Sequence, residues 1–134
     1  MRDYDDILIA LRRITRAIDI QSRRLLKSTG LTTSQLLVLQ AINKLNHPTP
    51  SAIAKEVLLS QATVTTIVDR MVGHRLVTRE RGSTDRRTVT ILLTDDAREK
   101  LAQAPELLQA GFLREFRKLP DWQRNMLIAS LQHI

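Results

Sequence analysis

The chain of 134 residues has no cysteine, and aromatic residues make up only 3% of it. Without cysteine, disulfide scaffolds, thiolate zinc sites and thiol redox sensors are excluded. No apolar run approaches the roughly 18 residues needed to span a bilayer, and the N-terminal sequence MRDYDD carries acids where a signal peptide carries bases. We therefore expect a cytoplasmic protein with no membrane partner.

The usual signatures of catalytic and metal sites are also missing. His47, His74 and His133 are scattered along the chain and lack the close spacing of metal ligands. Asp95 and Asp96 are adjacent at a helix start, where the helix dipole explains them, and no nucleophile and base accompany them. We expect no enzymatic activity, no metal and no cofactor.

Positive charge is present in excess and is unevenly distributed. The chain has 21 Lys and Arg residues against 14 Asp and Glu residues, a formal net charge of +7. Residues 70–94 carry six basic residues, all of them arginine, and two acidic ones. Arginine suits fork-shaped recognition of phosphate or guanine better than lysine does. This segment is therefore a candidate surface for binding a polyanion.

Apolar residues make up 43% of the chain, enough for one core, and their spacing predicts mainly helices. A narrow apolar stripe predicts a first helix from about residue 4 to residue 28, ended by Gly30. Thr32 and Gln35 form a capping box that begins a second helix, through about residue 45.

Two shorter helices follow. Thr49 is a plausible N-cap for a third helix, which begins at Pro50 and runs to about Val57. Ser60 is the N-cap candidate for a fourth helix, which runs to about Val72.

Two β-like runs, residues 76–81 and 88–93, flank a hairpin tip at residues 82–87. Thr94 caps the next helix, Pro105 is expected to interrupt that helix early, and Pro120 begins the last one. The predicted fold class is mainly α with a small β-hairpin, a winged helix-turn-helix with additional N- and C-terminal helices.

The fourth helix has an unusual exposed face. It is small and polar with few charges: Gln61, Ala62, Thr63, Thr65, Thr66, Asp69 and Arg70. Side chains of this kind let a helix approach base edges closely, and hydroxyls and Gln61 can hydrogen-bond bases or phosphates. Taken alone, the pattern fits an ordinary surface helix equally well.

The hairpin favours the nucleic-acid interpretation. Arg79, Arg81, Arg86 and Arg87 lie in or beside a ribbon whose tip is expected to project. An inserted arginine is attracted by the negative potential of a narrow A·T-rich minor groove, while neighbouring arginines can hold phosphates. The alternative is that these are solvated edge-strand charges that prevent aggregation.

The sequence resembles the MarR family of bacterial winged helix-turn-helix repressors over nearly its whole length. The resemblance is carried by GLTTSQL at 30–36, Ala54, SQATVT at 60–65, VDRM at 68–71, LVTR at 76–79, DRR at 85–87 and LT at 93–94. The N-terminal stretch with Arg12, Arg13, Arg16, Arg23 and Arg24 is also similar to family members that control osmolyte-synthesis genes. This basic stretch could bind an acidic ligand, although a solvated helix face is the favoured interpretation.

The resemblance implies a homodimer, joined through helices at residues 4–30 and 95–134, with a DNA-binding module at residues 31–94 within a single domain 1–134. It implies that Arg86, the middle residue of DRR, reaches the minor groove, and that Asp85 and Arg87 orient the wing or contact the DNA backbone. The residues implied to face the major groove are Ser60, Gln61, Ala62, Thr63, Thr65, Thr66 and Arg70.

Two positions depart from the family pattern. Arg75 stands where members usually have glycine, so the turn either avoids a positive φ or tolerates its cost. The last helix stops at Ile134, earlier than usual, from which we expect a shortened dimer contribution or a truncated C-terminus.

Dimerisation is also expected from the residues themselves. The stripe of the first helix and the apolar residues Trp122, Met126 and Leu131 exceed what a small winged domain can cover. The alternative is that these helices pair within one chain.

The expected function is a dimeric, sequence-specific transcriptional regulator, a repressor that binds a pseudo-palindromic operator in double-stranded DNA and is relieved by a small-molecule effector. Two alternatives stay open: a non-specific architectural DNA-binding protein, and a winged domain whose arginines pair with an acidic protein.

Overall fold

The computed structural model describes residues 3–104 and 108–133, with residues 108–110 described by their backbone alone. The helices are α1 (Asp3–Thr29), α2 (Thr33–Leu45), α3 (Pro50–Val57), α4 (Gln61–Gly73), α5 (Asp95–Gln103), α6 (Leu108–Lys118) and α7 (Asp121–Leu131), and the strands are β1 (Val77–Arg81) and β2 (Val89–Leu93). The strands pair antiparallel, with Arg79 opposite Ile91. The predicted fold class is confirmed, while the expected interruption at Pro105 lies outside the described residues.

Side-chain caps begin the helices where the sequence predicts them. Thr32 and Gln35 form the full capping box of α2. Thr49, Ser60 and Thr94 each accept a hydrogen bond from the backbone N–H three residues later, at 3.1–3.2 Å. Each such cap contributes about 1 kcal/mol to stability. The α2, α3, α4 and α5 starts are therefore fixed by local chemistry.

Residues 22–104 form one compact unit with its own core. Its largest fully buried side chains come from the end of α1, the turn before α2, from α2 to α4 and from both strands: Leu25, Leu31, Leu36, Val38, Leu39, Ile53, Val64, Val68, Met71, Val77 and Ile91. The Ile91 amide also donates to the Pro48 carbonyl at 2.9 Å, which ties β2 to the turn between α2 and α3. The hairpin and α4 are thus held by the same core.

The described residues of 1–21 and 105–134 form the second unit, which contains the first part of α1 together with α6 and α7. None of the residues of α7 is buried. The rings of Phe112 and Phe116 stack with centroids 5.4 Å apart. Large apolar side chains are exposed along these helices, among them Ile7, Leu11, Ile14, Ile18, Phe112, Trp122, Met126, Leu127, Ile128 and Leu131. An apolar surface of this extent is typical of an association site.

Non-glycine residues with a positive φ follow three of the helices: Asn46 and His47 after α2, Leu58 after α3, and Arg75 after α4. Leu58, the C-cap of α3, and Arg75, two residues after α4, both have φ of 58°. Of the two outcomes left open for Arg75, the turn therefore tolerates a positive φ. The Thr94 hydroxyl donates to the Arg75 carbonyl at 2.8 Å and helps to hold this turn.

Replacing Leu58 by asparagine is expected to stabilise the protein. Leu58 is 89% exposed, so its side chain contributes almost no packing, while its left-handed backbone is costly for a leucine. Asparagine adopts this conformation readily, and we expect the free energy of unfolding to rise by about 1 kcal/mol. Urea unfolding measures the change. Leu58→Ala is the control, because alanine keeps the backbone cost; equal stabilities of the two variants would refute the explanation.

Candidate nucleic-acid interface

Helix α4 packs one face into the core and leaves the other exposed. Val64, Val68 and Met71 are buried and Ile67 is half-buried, so the opposite side of the helix points away from the core. The residues expected to face the major groove are all exposed: Ser60, Gln61, Ala62, Thr63, Thr65, Thr66 and Arg70. They form one continuous surface, which we call the reading face.

The N-terminus of α4 is capped by Ser60, whose hydroxyl also contacts that of Thr63. The Ser60 Oγ accepts from the Thr63 N–H at 3.1 Å, and the Ser60 and Thr63 hydroxyl oxygens are 2.8 Å apart. The amides of the first turn carry the positive end of the helix dipole, which favours a phosphate nearby. This end of the reading face therefore suits the approach of a DNA strand.

The two following threonines use their hydroxyl hydrogens within the helix. Thr65 donates to the Gln61 carbonyl at 2.9 Å, and Thr66 donates to the Ala62 carbonyl at 3.1 Å. Both side chains consequently offer outward only a methyl group and acceptor lone pairs. The sequence suggests that these hydroxyls can donate to or accept from DNA. The structure restricts them to accepting, because each hydroxyl already donates to a helix carbonyl. The Gln61 amide makes no hydrogen bond to any described residue.

An ion pair joins the reading helix to the wing. The Arg79 guanidinium on β1 donates to the Asp69 carboxylate on α4. Arg79 was predicted as a DNA-binding residue, and the structure gives it this partner within the chain. The pair links β1 to α4 at the surface, where both side chains are exposed, and adds to the buried contacts that hold the wing against the reading helix. Arg70, the neighbour of Asp69, makes no ion pair with any described residue.

Backbone hydrogen bonds shape the wing tip. The Gly82 amide donates to the Thr88 carbonyl at 2.9 Å, and the Thr88 amide donates to the Asp85 carbonyl at 3.2 Å. The Asp85 carboxylate accepts from the Arg87 amide at 3.0 Å, which closes a turn around Arg86. Asp85 therefore stabilises the turn at the wing tip. That it orients the wing on DNA or contacts the DNA backbone stays a prediction.

The arginine side chains at the tip remain available. Arg81 is the exception: it donates to the Arg86 carbonyl at 3.3 Å and so helps to stabilise the tip. The guanidinium groups of Arg86 and Arg87 are exposed, and neither has a hydrogen bond or an ion pair with a described residue. Two unpaired guanidinium groups on a backbone held in shape suit contact with an anionic groove.

Gly82→Ala is expected to weaken DNA binding while leaving the core intact. A Cβ at Gly82 would lie 2.6 Å from the Asp85 carbonyl oxygen, so the tip would have to move. A displaced Arg86 would forfeit part of an interaction worth about 1–3 kcal/mol, and we expect an affinity for duplex DNA about tenfold lower. Titration with labelled duplex measures the affinity, and urea unfolding checks the core.

The control for this variant is Gly73→Ala, because a Cβ at Gly73 meets nothing within 4 Å. Gly73→Ala should bind DNA as the unmodified protein does. Equal binding by Gly82→Ala would show that the tip geometry does not matter.

Two clefts lie within the unit of residues 22–104. One, of ≈ 330 Å³, is lined by Ser22, Arg23, Leu26, Thr32, Thr33 and Ser34. The other, of ≈ 230 Å³, is lined by Thr29, Gly30, Leu31, Gln35, His74, Leu76 and Lys100. Both combine apolar walls with polar and cationic groups, a composition that suits a small anionic molecule.

Other kinds of site find no support in the described residues. No group of three or more acidic or histidine side chains within residues 3–104 and 108–133 could hold a metal ion. None of the described helices is long and apolar enough to cross a bilayer.

Comparison with known proteins identifies relatives over most of the chain. A family model described as the MarR family matches residues 29–88. The uncharacterised HTH-type transcriptional regulator YsmB of Bacillus subtilis is 30% identical over 110 residues, 82% of this chain and 75% of YsmB. The HTH-type transcriptional repressor MdtR of the same organism is 29% identical over 91 residues, and the match spans 68% of this chain and 59% of MdtR.

The fold is shared with solved structures. The structure of Streptococcus pneumoniae FabT in complex with DNA has a TM-score of 0.72 and 22% identity. It covers 98% of this chain and 94% of FabT. The likeness extends beyond the hairpin and α4 to nearly all of the chain.

Proposed function

Because the chain belongs to the MarR family of transcriptional regulators, we propose that it represses a promoter by binding a pseudo-palindromic operator in double-stranded DNA as a homodimer. The chain is a regulator of MarR type and not an enzyme. The observation that carries the proposal is the exposed Arg86 guanidinium, which has no partner among the described residues and lies at a wing tip shaped by hydrogen bonds. The wing and the exposed reading face are held by one core.

Each half of the operator would be contacted in two grooves. The reading face would enter a major groove, whose base edges distinguish all four base pairs. Arg86 would enter the adjacent minor groove, with Arg87, Arg81 and Arg70 near phosphates. FabT, whose fold this chain shares, was solved with DNA, which supports this use of the fold.

The homodimer would form through the apolar faces of α1, α6 and α7. The exposed side chains Ile14, Trp122 and Leu131 support this, since water contact with so many apolar groups is unfavourable. Two-fold symmetry would then place two reading helices about 10 base pairs apart, in successive major grooves. A repressor of this kind would act in the cytoplasm, where the promoter is.

Relief of repression would come from a small anionic effector in the cleft lined by His74 and Lys100. Lys100 donates to the Thr29 carbonyl at 2.8 Å and so links α5 to the end of α1. An effector shifts binding only if its affinity differs between the DNA-bound and free arrangements. An anion bound in this cleft would compete with the Thr29 carbonyl for the Lys100 ammonium group and so would alter the contact between α5 and the end of α1.

Selection from a random duplex pool, followed by footprinting, tests the proposal. We expect recovery of a two-fold repeated sequence, with protection over two half-sites. Binding of all sequences alike would favour the architectural alternative, and absence of DNA binding at low salt would favour a protein partner for the wing.

A further inference from the structure

The centre of the reading face is lined by methyl groups. Ala62 and Thr66 are four residues apart on α4, so they share a helix face, and both are exposed. The buried residues Val64 and Val68 lie on the other side of the helix. Ala62 and Thr66 are therefore the side chains that would meet the floor of a groove first.

Hydrogen-bond donors are scarce at this centre. Ala62 has no polar side-chain atom, and Thr66 spends its hydroxyl hydrogen on the Ala62 carbonyl. Thr65, beside them, is engaged in the same way with the Gln61 carbonyl. A guanine, which presents two acceptors in the major groove, would find no donor from these three side chains.

Thymine is the base that offers an apolar group in the major groove, its C5 methyl. We propose that Ala62 and Thr66, flanked by Thr65, recognise thymine methyl groups, so that the centre of each half-site consists of A·T pairs. This inference rests on the proposed function, since it requires α4 to lie in the major groove. The lone pairs of Thr66 can in addition accept from the adenine amino group of the same pair.

The test removes one methyl group at a time from each side. Thymines in the half-sites of the selected duplex are replaced by deoxyuridine, which lacks only the C5 methyl, and Thr66 is replaced by serine, which keeps the hydroxyl. Each change alone should weaken binding about fourfold for every recognised methyl group that is removed. If Thr66 contacts one of these thymine methyl groups, the protein change and the DNA change remove the same interaction. Thr66→Ser should therefore weaken binding to the deoxyuridine duplex less than it weakens binding to the thymine duplex.

Thr15→Ser is the matched control. Thr15 on α1 is also exposed, and it donates to the carbonyl four residues earlier, Leu11, at 2.9 Å. This variant should discriminate between the two duplexes as the unmodified protein does. Thermal unfolding of both serine variants shows whether the helices are retained.

The outcomes separate this inference from the function on which it rests. Specific binding that is indifferent to deoxyuridine, or half-sites without A·T pairs at their centre, would overturn the methyl recognition and leave the regulator proposal standing. Failure of the unmodified protein to prefer any sequence would overturn both. A deoxyuridine effect that persists unchanged in Thr66→Ser would overturn the assignment of Thr66 to methyl recognition.

Discussion

Arg86→Ala is expected to lower the affinity for the selected duplex by about fivefold to 150-fold at fixed salt, the range of a base-edge contact worth about 1–3 kcal/mol. The Arg86 guanidinium is exposed and unpaired within the described residues, while the turn around it is closed by Asp85. Removal of the side chain therefore disturbs no interaction of its guanidinium within the described chain. Fluorescence anisotropy with operators that have A·T or G·C flanks measures the decrease, which should be larger for the A·T flank.

Arg117→Ala provides the comparison for this variant. Arg117 is an exposed arginine on α6, so its replacement removes the same charge from a different part of the surface. Its effect should be limited to the small decrease that general electrostatic attraction contributes. If both variants weaken binding equally and without regard to the flank, Arg86 acts as one charge among many and does not read a groove.

Ile14→Glu is expected to abolish the dimer and, with it, high-affinity operator binding. Ile14 is 55% exposed in the single chain, so a carboxylate there costs the folded monomer little. In a dimer interface the same carboxylate would be buried without a partner, at a cost of several kcal/mol per subunit. Sedimentation velocity should show monomers at concentrations where the unmodified protein is dimeric. Affinity for a two-site operator should fall by at least about a hundredfold, since the second half-site no longer adds to binding.

Arg13→Glu is the control for the interface. Arg13 is the neighbour of Ile14 but points about 100° around the helix, away from the apolar stripe. This variant should stay dimeric. A dimeric Ile14→Glu protein would show that the exposed face of α1 is not where two chains meet.

Local chemistry explains what the sequence could predict. Thr32, Thr49, Ser60 and Thr94 bond to amides within three residues of themselves, and such caps depend on nothing distant. Gly30, which the sequence predicts as the end of the first helix, follows α1 and has a left-handed backbone with φ of 73°. The strands begin one residue later than predicted, at Val77 and Val89, because pairing and not composition sets their limits.

Longer-range features were not predictable in the same way. The pairing of Arg79 with Asp69 depends on how β1 returns along α4, and no periodicity in the sequence relates these two positions. The left-handed Leu58 was also missed, since nothing local favours leucine there. By contrast, the hydrogen bonds of Thr65 and Thr66 to carbonyls four residues earlier are common for threonine within helices. That tendency could have restricted the expected role of their hydroxyls from the sequence alone.

The central claim is that this chain binds one DNA sequence in preference to others. The most direct measurement compares, at one physiological salt concentration, its affinity for the selected duplex with that for a duplex of equal length and composition whose half-sites are scrambled. A sequence-specific regulator should prefer the selected duplex by at least about 1,000-fold. Equal affinities for the two duplexes would contradict the proposed function.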